Sequence, residues 1–93
     1  MHSPQVSIII PVFNSPLINE TLASVKRQQF DLSKVEILVI GLDDHRFIKP
    51  DDKVRFIETS GSVSEARNLG IKLSLGKWLV FLDSDCIAEK RWL

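Results

Sequence analysis

The chain has a single cysteine, only four glycines and four prolines, and no excess charge of either sign. With Cys86 alone, an internal disulfide is excluded, and with His2 and His45 the only histidines, so is a structural zinc site. Cys86 therefore reads as a small buried or half-buried hydrophobe. Twelve basic residues balance twelve acidic ones, so no overall field steers the chain toward nucleic acid or an anionic membrane. Any phosphate it binds must be held locally. The longest apolar stretches, 6–13 and 78–82, fall far short of the ~20 residues of a membrane helix, and no signal-peptide series is present. A cytoplasmic location is the expectation. There is no internal repeat and no low-complexity linker.

What remains is an ordinary globular composition, 44% hydrophobic and 26% charged, in 93 residues that make one domain at most. A chain of this size buries only about 60 to 65 per cent of the surface its unfolded form exposes, so the core is small.

Residues 6–12 (Val-Ser-Ile-Ile-Ile-Pro-Val) are β-branched and almost continuously apolar, which suits a strand covered on both faces, with Pro11 marking its end. Ser15-Pro16 is a helix start, the hydroxyl capping free amides and the proline occupying the first turn. Leu17, Ile18, Thr21, Leu22 and Val25 share one face of the helix predicted over 16–29. Residues 35–40 form a second buried strand, and 53–59 alternate as a third, nearer an edge, after the polar loop 41–52. Ser62 and Glu65 have capping-box spacing, opening a helix that turns Val63, Ala66, Leu69 and Leu73 inward and ends at a left-handed Gly76. Gly70 within that helix implies close approach to a strand or ligand. The fourth strand, 77–82, empties into Asp83-Ser84-Asp85, and 87–93 look like the start of another helix. The order predicts an α/β fold, a mainly parallel sheet with flanking helices. Function then belongs at the strand carboxyl ends, where Asn14, residues 41–44 and residues 83–85 gather.

Two carboxylates one residue apart at a strand end are hard oxygen ligands for Mg²⁺ or Mn²⁺, ions that bind through one or two carboxylates plus substrate phosphates. By itself Asp83-x-Asp85 is a weak motif, equally readable as solvated turn carboxylates. The first strand leads into Pro11-Val12-Phe13-Asn14-Ser15, which has no glycine, so neither a Rossmann fingerprint nor a P-loop can form there. If a nucleotide binds, a metal must carry most of the phosphate charge.

Five ordered blocks then resemble the N-terminal half of family 2 glycosyltransferases with the GT-A fold. They are residues 6–14, 22–28 (Leu-Ala-Ser-Val-Lys-Arg-Gln), 36–40, 64–70 (Ser-Glu-Ala-Arg-Asn-Leu-Gly) and 76–85 (Gly-Lys-Trp-Leu-Val-Phe-Leu-Asp-Ser-Asp). The resemblance implies a Rossmann-like GT-A half domain, truncated, with 1–93 as the donor-binding part and the acceptor part and catalytic base beyond residue 93. It implies a nucleotide-diphosphate sugar as donor, transferred with inversion to a saccharide or lipid-linked acceptor hydroxyl, and in a full-length protein a place at the inner face of the membrane. By the same resemblance Pro11, Phe13 and Asn14 line the nucleoside pocket, Arg67 and Asn68 face the nucleotide, Asp83 contacts ribose or metal, and Asp85 holds the metal. Phe13 equally suits plain core, and Arg67 a surface ion pair.

One departure stands out. The family's Asp-Asp-Gly-Ser after the second strand is replaced by Gly41-Leu42-Asp43-Asp44, so either Asp43 or Asp44 reaches back to the base or backbone groups hold it. Three rivals remain open: a haloacid-dehalogenase-like phosphatase with Asp83 as nucleophile and Asp85 as acid/base, a non-catalytic assembly module, and a structural α/β domain. The fourth strand also leaves an apolar edge, from which a homo-oligomer is expected.

Overall fold

A computed structural model describes residues 3–49 and 51–93. His2 and Pro50, the latter within the predicted polar loop, lie outside the described residues. The elements run β1 (Val6–Phe13), α1 (Ile18–Lys26), a 3-10 turn (Leu32–Lys34), β2 (Val35–Leu42), β3 (Val54–Glu58), α2 (Val63–Leu73) and β4 (Trp78–Phe81). All strands pair in parallel in the order β3-β2-β1-β4. This is the α/β arrangement expected from the pattern of elements.

β1 and β2 are central because their runs are apolar on both faces. Ile8, Ile10 and Val12 with Ile37 and Val39 meet Ile18, Leu22 and Val25 of α1. From the opposite face Ile9, Leu38 and Ile40 meet Ala66 of α2. The two helices thus cover opposite faces. Gly70 lets α2 settle on the sheet, since a Cβ there would lie 2.5 Å from Ile9 Cγ2 and 3.0 Å from Ile40 Cδ1.

Several local expectations give way to tertiary contacts. Pro11 does not end β1, which stays paired with β2 through Phe13. Ile9 O accepts from the Leu82 amide, and two residues on Pro11 faces the same side, past the end of β4, where its missing N–H removes no ladder bond. Ser15 does not cap α1: the helix opens at Ile18 with no side-chain cap, and Leu17 is exposed. The Ser62 cap holds, its Oγ accepting from Glu65 N at 3.2 Å, but Val63 is exposed. Gly76 is needed for proximity rather than a left-handed turn, because a Cβ would come 2.6 Å from Ser7 N. Ser74 ends α2 instead. Cys86 is exposed, and residues 87–93 form turns rather than a helix. No helix among the described residues is long and apolar enough to cross a membrane.

Candidate functional site

The carboxyl ends of β1 and β4 open into a cleft of about 590 Å³ whose walls include Pro11, Phe13, Asn14, Asp83 and Asp85. β1 delivers the first three. The cleft wall continues with Ser15 and Val63, neither of which the sequence singled out for binding.

Asn14 sits in the left-handed region at φ 58°, a conformation its short polar side chain tolerates better than most. Its amide donates to Leu42 O at 2.9 Å. Its side chain receives the Asp44 amide at 2.7 Å and donates to the Asp44 carboxylate at 3.2 Å. Asp44 is thereby tied to Asn14, a residue of the cleft wall, without itself lining the cleft. Asp43 goes elsewhere: its two carboxylate oxygens accept from Phe47 N and Ile48 N, both at 2.9 Å, and it lines a separate cleft of about 510 Å³ with Arg46 and Phe56. Gly41 remains within β2 at φ 149°, where a Cβ would lie 1.7 Å from Val12 O. That close approach explains why no carboxylate stands there.

Arg67 of α2 lies outside the cleft lining and meets it only through Asp83, its Nη2 3.1 Å from Asp83 Oδ1, with both side chains partly solvated. Asn68 is exposed, one residue further along α2, and is not among the residues lining the cleft.

Asp83, Asp85 and Cys86 can each offer one ligand atom, all within 4.8 Å of one another. The two carboxylates suit a hard cation such as Mg²⁺ or Mn²⁺. The thiol is a soft donor that suits such an ion poorly, and loss of solvent around it, then the charges of Asp85 and Asp83, push its pKa up. The residues present therefore fit a divalent cation held by two carboxylates and completed by phosphate oxygens.

The turn bearing these carboxylates is fixed from α1. Ser84 O accepts from Thr21 Oγ1 at 2.8 Å and from Ser15 Oγ at 3.2 Å. Further along, Ser24 Oγ receives the Ala88 amide at 2.8 Å. Gln28 donates to Glu89 O at 2.6 Å and receives the Leu93 amide at 2.9 Å. Thr21, Ser24 and Gln28 are all buried. In the sequence Thr21 passed as a member of the apolar face. The missed signal is the polar series 21, 24 and 28, of which Thr21 and Ser24 share an edge of α1 and Gln28 follows just past its end.

The family model for glycosyl transferase family 2 matches residues 7–93. The chain belongs to that family. This family 2 chain is 38% identical to the uncharacterized glycosyltransferase EpsJ of Bacillus subtilis strain 168, over 88% of this chain and 26% of EpsJ. It is also 38% identical to the glycosyltransferase AglE of Haloferax volcanii, over 97% of this chain and 33% of AglE. The poly(ribitol-phosphate) β-N-acetylglucosaminyltransferase TarP of Staphylococcus aureus strain N315 is 33% identical over 96% of this chain and 31% of its own length. The chain thus spans about a quarter to a third of these relatives. The crystal structure of S. aureus TarS 1–349 in complex with UDP superposes with a TM-score of 0.77 at 22% identity, covering 94% of this chain and 29% of that one, which shows the shared GT-A fold. Family membership displaces the phosphatase reading of Asp83-x-Asp85.

Proposed function

We propose that this chain is the donor-binding part of an inverting glycosyltransferase that holds a nucleotide-diphosphate sugar between β1, α2 and the acidic turn. The observation that carries this reading is the meeting of Phe13, Asn14, Asp83 and Asp85 on one cleft, although 69 residues separate Asn14 from Asp83 in the sequence. Pro11 and Phe13 offer apolar surface to the base, and Asp44, oriented by Asn14, replaces the carboxylate missing at Gly41. Asp83 and Asp85 hold Mg²⁺ or Mn²⁺. Bound there, the ion neutralises the diphosphate leaving group. Arg67 balances Asp83 and adds a second positive group beside the phosphates.

Transfer itself requires a base to take the proton of the acceptor hydroxyl as its oxygen displaces the nucleoside diphosphate at the anomeric carbon. Among the described residues the only carboxylates lining the cleft are Asp83 and Asp85, both assigned to the metal. On this reading the base and the acceptor pocket lie outside this cleft, and the enzyme works on the cytoplasmic side.

Two-dimensional NMR of the ¹⁵N-labelled chain tests this. Adding a nucleoside diphosphate with Mg²⁺ shifts the amides of Phe13, Asn14, Ser84 and Asp85 together. Shifts confined to the Arg46–Phe56 cleft, or none, contradict the reading.

A further inference from the structure

We propose that Thr21 is a positioning residue for Asp83 and Asp85, setting the direction of both carboxylates by holding the carbonyl of the residue between them. The proposal rests on the reading of those carboxylates as the cation site. The turn 83–86 is closed internally by a single backbone bond, Cys86 N to Asp83 O at 3.1 Å. Both aspartates are exposed, so neither carboxylate is fixed by packing. The rigid reference for the turn is the carbonyl of Ser84, which receives the Thr21 hydroxyl at 2.8 Å and the Ser15 hydroxyl at 3.2 Å.

The Thr21 contact is the stronger anchor for three reasons. Thr21 is fully buried on α1, with its neighbours Leu22 and Val25 in the core, so its oxygen does not move with solvent. A helical threonine hydroxyl usually turns back to the carbonyl one turn earlier, whereas here it bridges 63 residues to the acidic turn. Ser24 on the same helix edge, and Gln28 just past the end of α1, continue the hold by fixing Ala88, Glu89 and Leu93. The acidic turn is therefore anchored on both sides, by β4 pairing before it and by the hydroxyls of α1 and the Gln28 amide at and after it. A two-carboxylate site binds a cation well only when its oxygens are held in place before the ion arrives, and a supporting hydrogen bond of this kind typically changes metal affinity by about 10- to 100-fold.

Three variants test the proposal: Thr21→Val, which keeps shape and removes the hydroxyl; Thr21→Ser, which restores it; and Ser15→Ala, which removes the weaker contact and secures the test if Thr21→Val does not fold. Two measurements are made on each. Amide exchange at Cys86, read by NMR without metal, reports the turn itself. Calorimetric titration of UDP and GDP with and without Mn²⁺ reports its use. In Thr21→Val the Cys86 amide exchanges about tenfold faster and Mn²⁺-dependent affinity falls about tenfold, while metal-free nucleotide binding changes less than about twofold. Thr21→Ser stays near wild type in both, and Ser15→Ala shows the same pattern at about threefold.

Unchanged exchange in Thr21→Val overturns the anchoring, and faster exchange with unchanged Mn²⁺-dependent affinity overturns the positioning role. A wild-type chain without any Mn²⁺-dependent binding overturns the cation site, and the positioning of it, before any variant is compared.

Discussion

Asn14 and Asp44, thirty residues apart, exchange two hydrogen bonds, the Asp44 amide reaching Asn14 Oδ1 at 2.7 Å and Asn14 Nδ2 reaching the Asp44 carboxylate at 3.2 Å. The pair joins the loops that follow the two central strands, and it ties the Asp44 loop to a residue of the cleft wall. Asn14 also carries a positive φ, so two separate demands fall on one residue.

Those demands can be separated by substitution. Asn14→Ala loses both hydrogen bonds and places a Cβ-bearing, non-polar residue in the left-handed region, for a loss of about 2 to 3 kcal/mol. Asn14→Gly relieves the backbone and is less destabilising by about 1 kcal/mol. Urea unfolding of the three chains measures the difference. Equal stability of the two variants would show that the backbone conformation contributes nothing.

Asp43 and Asp44 are neighbours with different tasks. Removing the Asp43 carboxylate leaves two amides of the 43–48 turn without acceptors, so Asp43→Ala lowers stability by about 1 to 3 kcal/mol. Asp44→Ala leaves an exposed site and shows instead as a roughly threefold to tenfold loss of nucleotide affinity. Thermal unfolding and calorimetry on both variants check the division, and a reversed pattern would return Asp43 to the cleft.

At Gly70 helix propensity and packing oppose each other. Alanine gains about 1 kcal/mol of helix propensity, but its Cβ meets Ile9 Cγ2 at 2.5 Å, and overpacking a core typically costs about 1 to 3 kcal/mol. Packing wins: Gly70→Ala is destabilising, and Gly70→Val more so. A Gly70→Ala chain more stable than wild type, by denaturant midpoint, would show that α2 stands further from the sheet.

Asp31 gives a pH signature. The Ser33 hydroxyl donates to its carboxylate at 2.6 Å and the Ser33 amide at 3.1 Å, and these bonds hold its pKa below the ordinary 3.8. With the folded pKa lowered, its contribution is fully present above the ordinary value and is lost as pH falls through the folded one. Asp31→Asn is therefore slightly less stable than wild type at neutral pH, and the gap narrows below about pH 4. Denaturation midpoints across that range read it, and a gap that widens toward acid contradicts the assignment.

Much of this architecture is written locally. Unbroken β-branched runs at 6–12 and 35–40 mark strands buried on both faces, and the Ser62–Glu65 spacing marks the start of α2. Asp83 and Asp85 were legible because a strand aims them. The rest depends on partners distant in sequence. Ser15 has the chemistry of a cap but bonds to Ser84 O, and Gly76 has the chemistry of a helix end but serves close contact with Ser7. Residues 87–93 lack a helix because Ser24 and Gln28 take their backbone groups, a competition that periodicity does not reveal.

The central claim is that Asp83 and Asp85 make nucleotide binding depend on a divalent cation. Calorimetric titration of the wild-type chain with a panel of nucleoside diphosphates, in Mn²⁺ and then in EDTA, beside Asp85→Ala under the same conditions, tests it most directly. Binding in Mn²⁺ that weakens at least about tenfold in EDTA, and equally in the variant, is the predicted result. Equal affinity in Mn²⁺ and EDTA, or Mn²⁺-dependent binding that survives Asp85→Ala, would contradict it.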